Sequence, residues 1–88
     1  MVEREIAITN KLGLHARPAA ELVKVASKFK SEITIRRDDL EVNAKSIMGV
    51  MMLAAEFGSS VVIRAEGPDE QEAVDALAKL IASKFRES

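Results

Sequence analysis

Apolar and polar positions alternate along this chain with two different periods, and the switches between them mark out its elements. From Val2 to Thr9 the period is two. Val2, Ile6 and Ile8 share one face and Glu3, Glu5 and Thr9 the other, which predicts a strand, although Arg4 interrupts the apolar side. Asn10 to Gly13 reads as a loop. From Ala16 to Phe29 the spacing changes to three and four, with Ala19, Leu22, Val23, Ala26 and Phe29 on one stripe, which predicts an amphipathic helix. Pro18 belongs in the first turn of that helix, where its missing N–H is harmless. His15 is thereby placed at or next to the N-cap.

Period two returns from Glu32 to Arg37, with Ile33 and Ile35 inward, and from Leu40 to Ala44, with Leu40 and Val42 inward. Asp38-Asp39 makes the turn between them, so the pair reads as a hairpin. Ser46 to Leu53 or Ala54 is a short Met-rich helix capped by Ser46. Gly58 breaks the chain, and Ser60 to Glu66 forms a fourth strand with Val61, Ile63 and Ala65 on one face. Asp69 to Phe85 is the last helix, its buried stripe Ala73, Val74, Leu77, Leu80, Ile81 and Phe85. Asp69 and Glu72 have the spacing of a capping box, with Gly67 as cap and Pro68 at the first helical position as the alternative. The order βαββαβα predicts an α+β fold. It is an open-faced two-layer sandwich: a four-stranded antiparallel sheet with three helices on one face. A chain of 88 residues makes one domain, 1–88.

Composition narrows what such a domain could do. There is no Cys, which removes disulfides, thiolate chemistry and zinc–cysteine sites and favours the cytoplasm. The N-terminus is charged and no apolar run approaches the roughly 20 residues a membrane span needs, so no membrane role is expected. Thirteen basic residues against fourteen acidic ones, with three Phe and no Tyr or Trp, argue against nucleic acid as a partner. One His without Cys makes a metal site unexpected.

The chemistry that remains centres on His15, the one histidine. A helix N-terminus presents unpaired N–H groups and about half a positive charge, both suited to a phosphate dianion. Arg17 can aim a guanidinium fork at phosphate oxygens, and Gly13 lets the loop come close to a partner. Against this stands the commoner role of a lone histidine near a helix start, an ordinary surface residue. Ser46 is an N-cap by default and a phosphorylation site by opportunity. Ile47, Met48, Met51 and Met52 crowd one short helix. Ile47, Met48 and Met51 are expected to be at least partly exposed beside His15, with Phe57 at the rim. Glu70 and Glu72 read as helix-dipole stabilisers. A small-molecule-binding regulatory module and a small acyl phosphatase remain as competing readings of the same pattern.

Gly13-Leu14-His15-Ala16-Arg17-Pro18-Ala19-Ala20 resembles the active-site segment of the HPr family, the histidine-containing phosphocarriers of the phosphoenolpyruvate-dependent phosphotransferase system. Asn43-Ala44-Lys45-Ser46-Ile47-Met48-Gly49-Val50-Met51 resembles that family's regulatory serine segment. The resemblance runs over nearly the whole chain. It implies a phosphoryl carrier rather than an enzyme, monomeric and without a cofactor. His15 would accept the phosphoryl group at Nδ1 from phospho-enzyme I, helped by Arg17, and pass it to EIIA domains. Ala16, Ala20, Lys24, Ile47, Met48 and Met51 would meet these partners. Ser46 would be a target of an HPr kinase/phosphorylase. Its phosphorylated form would depress transfer and bind a catabolite-control transcription regulator. Asn10 to Gly13 and Met51 to Leu53 are similar to the nitrogen-related branch of the family, whereas Lys45 to Val50 is similar to the serine-kinase-regulated branch. Sugar transport and a nitrogen-type regulatory phosphorelay are both open at this point. Ala54-Ala55-Glu56-Phe57 replaces a stretch that often contains Gly in the sugar-transport members.

Overall fold

Four strands and three α-helices follow one another in the computed structural model, which describes residues 1–86. They are β1 (Val2–Ala7), α1 (Ala16–Ala26), β2 (Glu32–Arg37), β3 (Leu40–Asn43), α2 (Ile47–Met52), β4 (Ser60–Glu66) and α3 (Glu70–Ala82), with a 3-10 turn at Lys84–Arg86. The strands form one sheet in the order β1-β4-β2-β3, every neighbouring pair antiparallel. The register sets Ile35 opposite Ile63 and Val61 opposite Ile6, so the apolar sets of three strands share one face. The helices cover that face: α3 lies against β1 and β4, and α1 packs against both α2 and α3. Glu3, Glu5, Thr34, Arg36, Glu41 and Arg64 lie on the other face by alternation along the strands.

Leu22 of α1, Val50 of α2, Leu77 and Ile81 of α3, and Ile35 and Ile63 of the sheet are fully buried and form the centre of the core. Each such side chain contributes about 1.5–3 kcal/mol relative to an exposed one. Val23, Phe29 and Leu80 complete the predicted stripes as half-buried residues packed against this centre.

Several expectations shift at element ends. β1 stops at Ala7, and Ile8 and Gly58 continue the pairing through loop bonds (Ile8 N–H to Ser59 O, 2.8 Å; Gly58 N–H to Ile8 O, 2.9 Å). α1 ends at Ala26 rather than Phe29, and β3 at Asn43 rather than Ala44. Leu40 is not inward: it is 41% exposed, because β3 is the edge strand and Leu40 is its first residue, beyond the helical cover. α3 ends at Ala82. Lys84 and Phe85 then turn left-handed (φ 57° and 56°), which carries Phe85 into the core in a separate turn. Arg4, on the apolar side of β1, donates to Asp75 of α3 at 2.8 Å. As a half-exposed pair this contributes at most about 1 kcal/mol.

The capping box expected at Asp69 and Glu72 does not form. Asp69 is the N-cap residue of α3, but its carboxylate accepts from Lys30 N–H (2.9 Å), Ser31 N–H (2.9 Å) and the Ser31 hydroxyl (2.5 Å). The Ser31 hydroxyl, followed by the Lys30 amide, holds the Asp69 carboxyl down at about 2. Glu70 takes the reciprocal role: it accepts from Gly67 N–H (3.1 Å) and pairs with the Met1 ammonium (2.7 Å), and these contacts lower its carboxyl, the ammonium most.

Candidate functional site

The segment that delivers His15 to α1 is fastened at Asn10, Gly13 and Leu14. Asn10 is fully buried, and its side-chain amide donates to Gly13 O at 2.7 Å while Gly13 N–H donates to Asn10 O at 3.1 Å, closing a tight turn. Gly13 is left-handed (φ 66°), and a Cβ there would overlap the Ala55 carbonyl oxygen. The backbone therefore passes close enough for Leu14 N–H to donate to that same carbonyl at 2.8 Å. Leu14 is buried beneath it. His15 follows in extended conformation (φ −79°, ψ −171°) as the N-cap of α1, and its carbonyl accepts the first helical bond, from Ala19 N–H at 2.9 Å. Pro18 is the third helical residue, inside the first turn as its chemistry requires.

This start of α1 is electrostatically positive. Its first turn contains no carboxylate, and the exposed Arg17 adds a full charge. The amides of Ala16 and Arg17 have no acceptor inside the helix. His15 is half-buried at the rim. A helix start of this kind, with an arginine two residues after the histidine, suits a phosphate dianion.

Ala16, Ala20 and Lys24 stand four residues apart on α1 and are all exposed, which makes them one outward strip beside Arg17. On α2, packed against α1, Ile47 (45%), Met48 (74%) and Met51 (43%) are exposed, as expected. Met52, which the sequence places on the same crowded helix, and Leu12 are exposed too, and Phe57 stands out from the loop after α2. Ser46 is the N-cap of α2. It is half-buried, and its hydroxyl accepts from Gly49 N–H at 3.1 Å. It lies at the end of α2 remote from the Leu14–Ala55 bond, roughly 10 Å along the helix. Lys45, beside it, donates to Phe29 O at 2.8 Å and ties the chain after α1 to the start of α2.

Arg37, at the end of β2, also reaches this region. Its Nη1 donates to both Leu53 O (3.0 Å) and Ala54 O (2.9 Å), the carbonyls of the C-cap of α2 and of the residue after it. The alternation puts position 37 on the same face as Ile33 and Ile35. Among the described residues no group of three or more His, Cys, Asp or Glu could hold a metal ion, and no helix is long and apolar enough to cross a membrane.

The family described as "PTS HPr component phosphorylation site" matches residues 2–83. The chain is 55% identical to the phosphocarrier protein HPr of Cupriavidus necator over 87 residues, 99% of this chain and 98% of that one. It is 52% identical to the HPr-like protein Crh of Halalkalibacterium halodurans, over 92% of this chain and 96% of the relative. Among solved structures it superimposes on HPr-C-His from Thermoanaerobacter tengcongensis with a TM-score of 0.97 and 56% identity, covering 100% and 99% of the two chains.

Proposed function

This chain belongs to the HPr family of phosphotransferase-system phosphocarriers, and on that premise we propose that His15 takes a phosphoryl group from phospho-enzyme I and passes it to an EIIA domain. The observation that carries the reading is the placement of the one histidine as N-cap of α1. It stands half exposed, with Arg17 beside it and no carboxylate in the first turn. His15 Nδ1 attacks phosphorus in line with the bond to the donor. The N–P bond forms as the donor's bond breaks, and its electron pair returns to the donor. Charge gathered on the three equatorial oxygens is met by the first-turn amides and Arg17. The onward step is the same exchange with EIIA as acceptor, which is why the site lies at a rim. Both partners dock on Ala16, Ala20 and Lys24 and on the adaptable side chains of Ile47, Met48 and Met51. The chain works as a cytoplasmic monomer, serving as substrate of its partners.

Ser46 supplies the control. Phosphorylation by an HPr kinase/phosphorylase adds nearly two negative charges next to Ile47 and Met48, on the docking surface. The helix cap survives, since phosphate is welcome at a helix start, but docking of the transfer partners weakens. A catabolite-control regulator would then read the phosphorylated form.

The test is transfer of label from phosphoenolpyruvate through enzyme I. The parent chain acquires an acid-labile phosphohistidine and His15→Ala acquires none, whereas Arg17→Ala slows labelling more than it weakens docking. Label retained in His15→Ala would overturn the assignment.

A further inference from the structure

Ala54 occupies a position where alanine is unusual. It follows Leu53, the C-cap of α2, and its backbone is left-handed (φ 49°). Glycine is the usual residue just past a helix end in this conformation, because any Cβ crowds the following carbonyl. Asparagine tolerates it through local side-chain bonding, which alanine cannot supply. The strain has to be balanced from outside the turn.

Arg37 does this. It ends β2 on the covered face of the sheet, and one nitrogen of its guanidinium donates to the carbonyls on either side of the bend, Leu53 O at 3.0 Å and Ala54 O at 2.9 Å. The next carbonyl along, that of buried Ala55, receives Leu14 N–H at 2.8 Å, and Gly13 is packed against it without room for a Cβ. Leu14 is covalently next to His15. A short run of contacts thus leads from the end of β2, through the bend after α2, to the N-cap of α1.

We propose that Arg37 is a positioning residue for phosphoryl transfer. It clamps the Leu53 and Ala54 carbonyls, so that Ala55 holds Leu14 and fixes the approach of His15 to the donor phosphorus. The inference rests on transfer through His15, with Arg37 acting through the Leu53 and Ala54 carbonyls. Its charge also faces the negative end of α2, which favours the same geometry. In-line transfer is sensitive to displacements of about 1 Å, so release of the clamp appears in turnover more than in docking.

The experiment combines kinetics with amide exchange on four chains: parent, Arg37→Ala, Arg37→Lys, and Arg37→Ala combined with Ala54→Gly. With phospho-enzyme I as donor, Arg37→Ala lowers kcat about tenfold and changes KM less than about threefold. Hydrogen exchange at the Leu14 amide accelerates about tenfold in Arg37→Ala, while the Ile63 amide in the central strand stays protected and shows the fold intact. Arg37→Lys recovers part of both effects. The double variant recovers most of both, because glycine accepts the bend without a clamp. Parent-like kcat and Leu14 exchange in Arg37→Ala overturn the proposal. A drop in kcat without faster Leu14 exchange also overturns it, since Arg37 would then be acting on the partner. If the parent never carries phosphate on His15, the transfer reading fails alone, and Leu14 exchange with its rescue by Ala54→Gly decides the clamp.

Discussion

Gly13→Ala tests whether the close approach of the His15 segment to the loop after α2 is real. Alanine at φ 66° sacrifices the freedom that only glycine has there, a cost of about 1–2 kcal/mol. Its Cβ would also overlap the Ala55 carbonyl oxygen and come within 2.9 Å of Glu56 Cα, both backbone atoms that cannot rotate aside. Relief requires the two strands of loop to separate, which breaks the 2.8 Å bond from Leu14 N–H to Ala55 O. That bond is worth about 1 kcal/mol net. The sum is about 2–3 kcal/mol, or a fall in melting temperature of roughly 10–20 °C for a domain of this size. Gly58→Ala is the matched control: its φ is 88° and no atom lies within 4 Å of the added Cβ, so it bears the conformational cost alone. Circular dichroism melts and urea titrations of the parent and both variants measure the difference, with m-values checking that unfolding stays two-state. A Gly13→Ala chain no less stable than Gly58→Ala would refute the close-approach argument.

Two further predictions concern residues at helix starts. Asp69→Asn removes a carboxylate whose folded value is about 2 against an ordinary 3.8, so its contribution is complete above the ordinary value and is lost as pH falls through the lower one. The melting temperature of Asp69→Asn should lie below that of the parent at neutral pH and converge on it as pH drops from 3.8 toward 2; a constant gap across that window would contradict the linkage. Ser46→Ala loses the acceptor for Gly49 N–H and about 1 kcal/mol, whereas Ser46→Asp keeps a cap and the stability but slows phosphate acceptance from enzyme I. Urea unfolding with parallel transfer kinetics checks both, and equal stability of the Ala and Asp variants would refute the capping argument.

The features legible in the chain are those whose causes are local. Alternation located β2 and β4 to the residue because each buries one whole face, so a slip of one position would expose Ile33 and Ile35 or Val61, Ile63 and Ala65. Pro18 and Ser46 announced two helix starts because their own backbone and hydroxyl chemistry acts within one turn. The His15 segment was equally legible, since N-cap, first-turn amides and Arg17 are neighbours in sequence.

What the tertiary structure decided is where side chains went when several partners could satisfy them. Asp69 and Glu72 have capping-box spacing, yet the Asp69 carboxylate took donors from Lys30 and Ser31 across 38 or more residues. Leu40 alternates as an inward residue, yet the edge position of β3 leaves it in water. Arg37 resembles any charged strand end until α2 brings two carbonyls to it. His15 was named by the sequence alone, but its setting depends on Leu14 meeting Ala55, a contact 41 residues away in the chain. Periodicity encodes which face a residue shows, because that follows from backbone geometry alone. It cannot encode which distant group waits on that face, because that depends on how all the faces are finally packed.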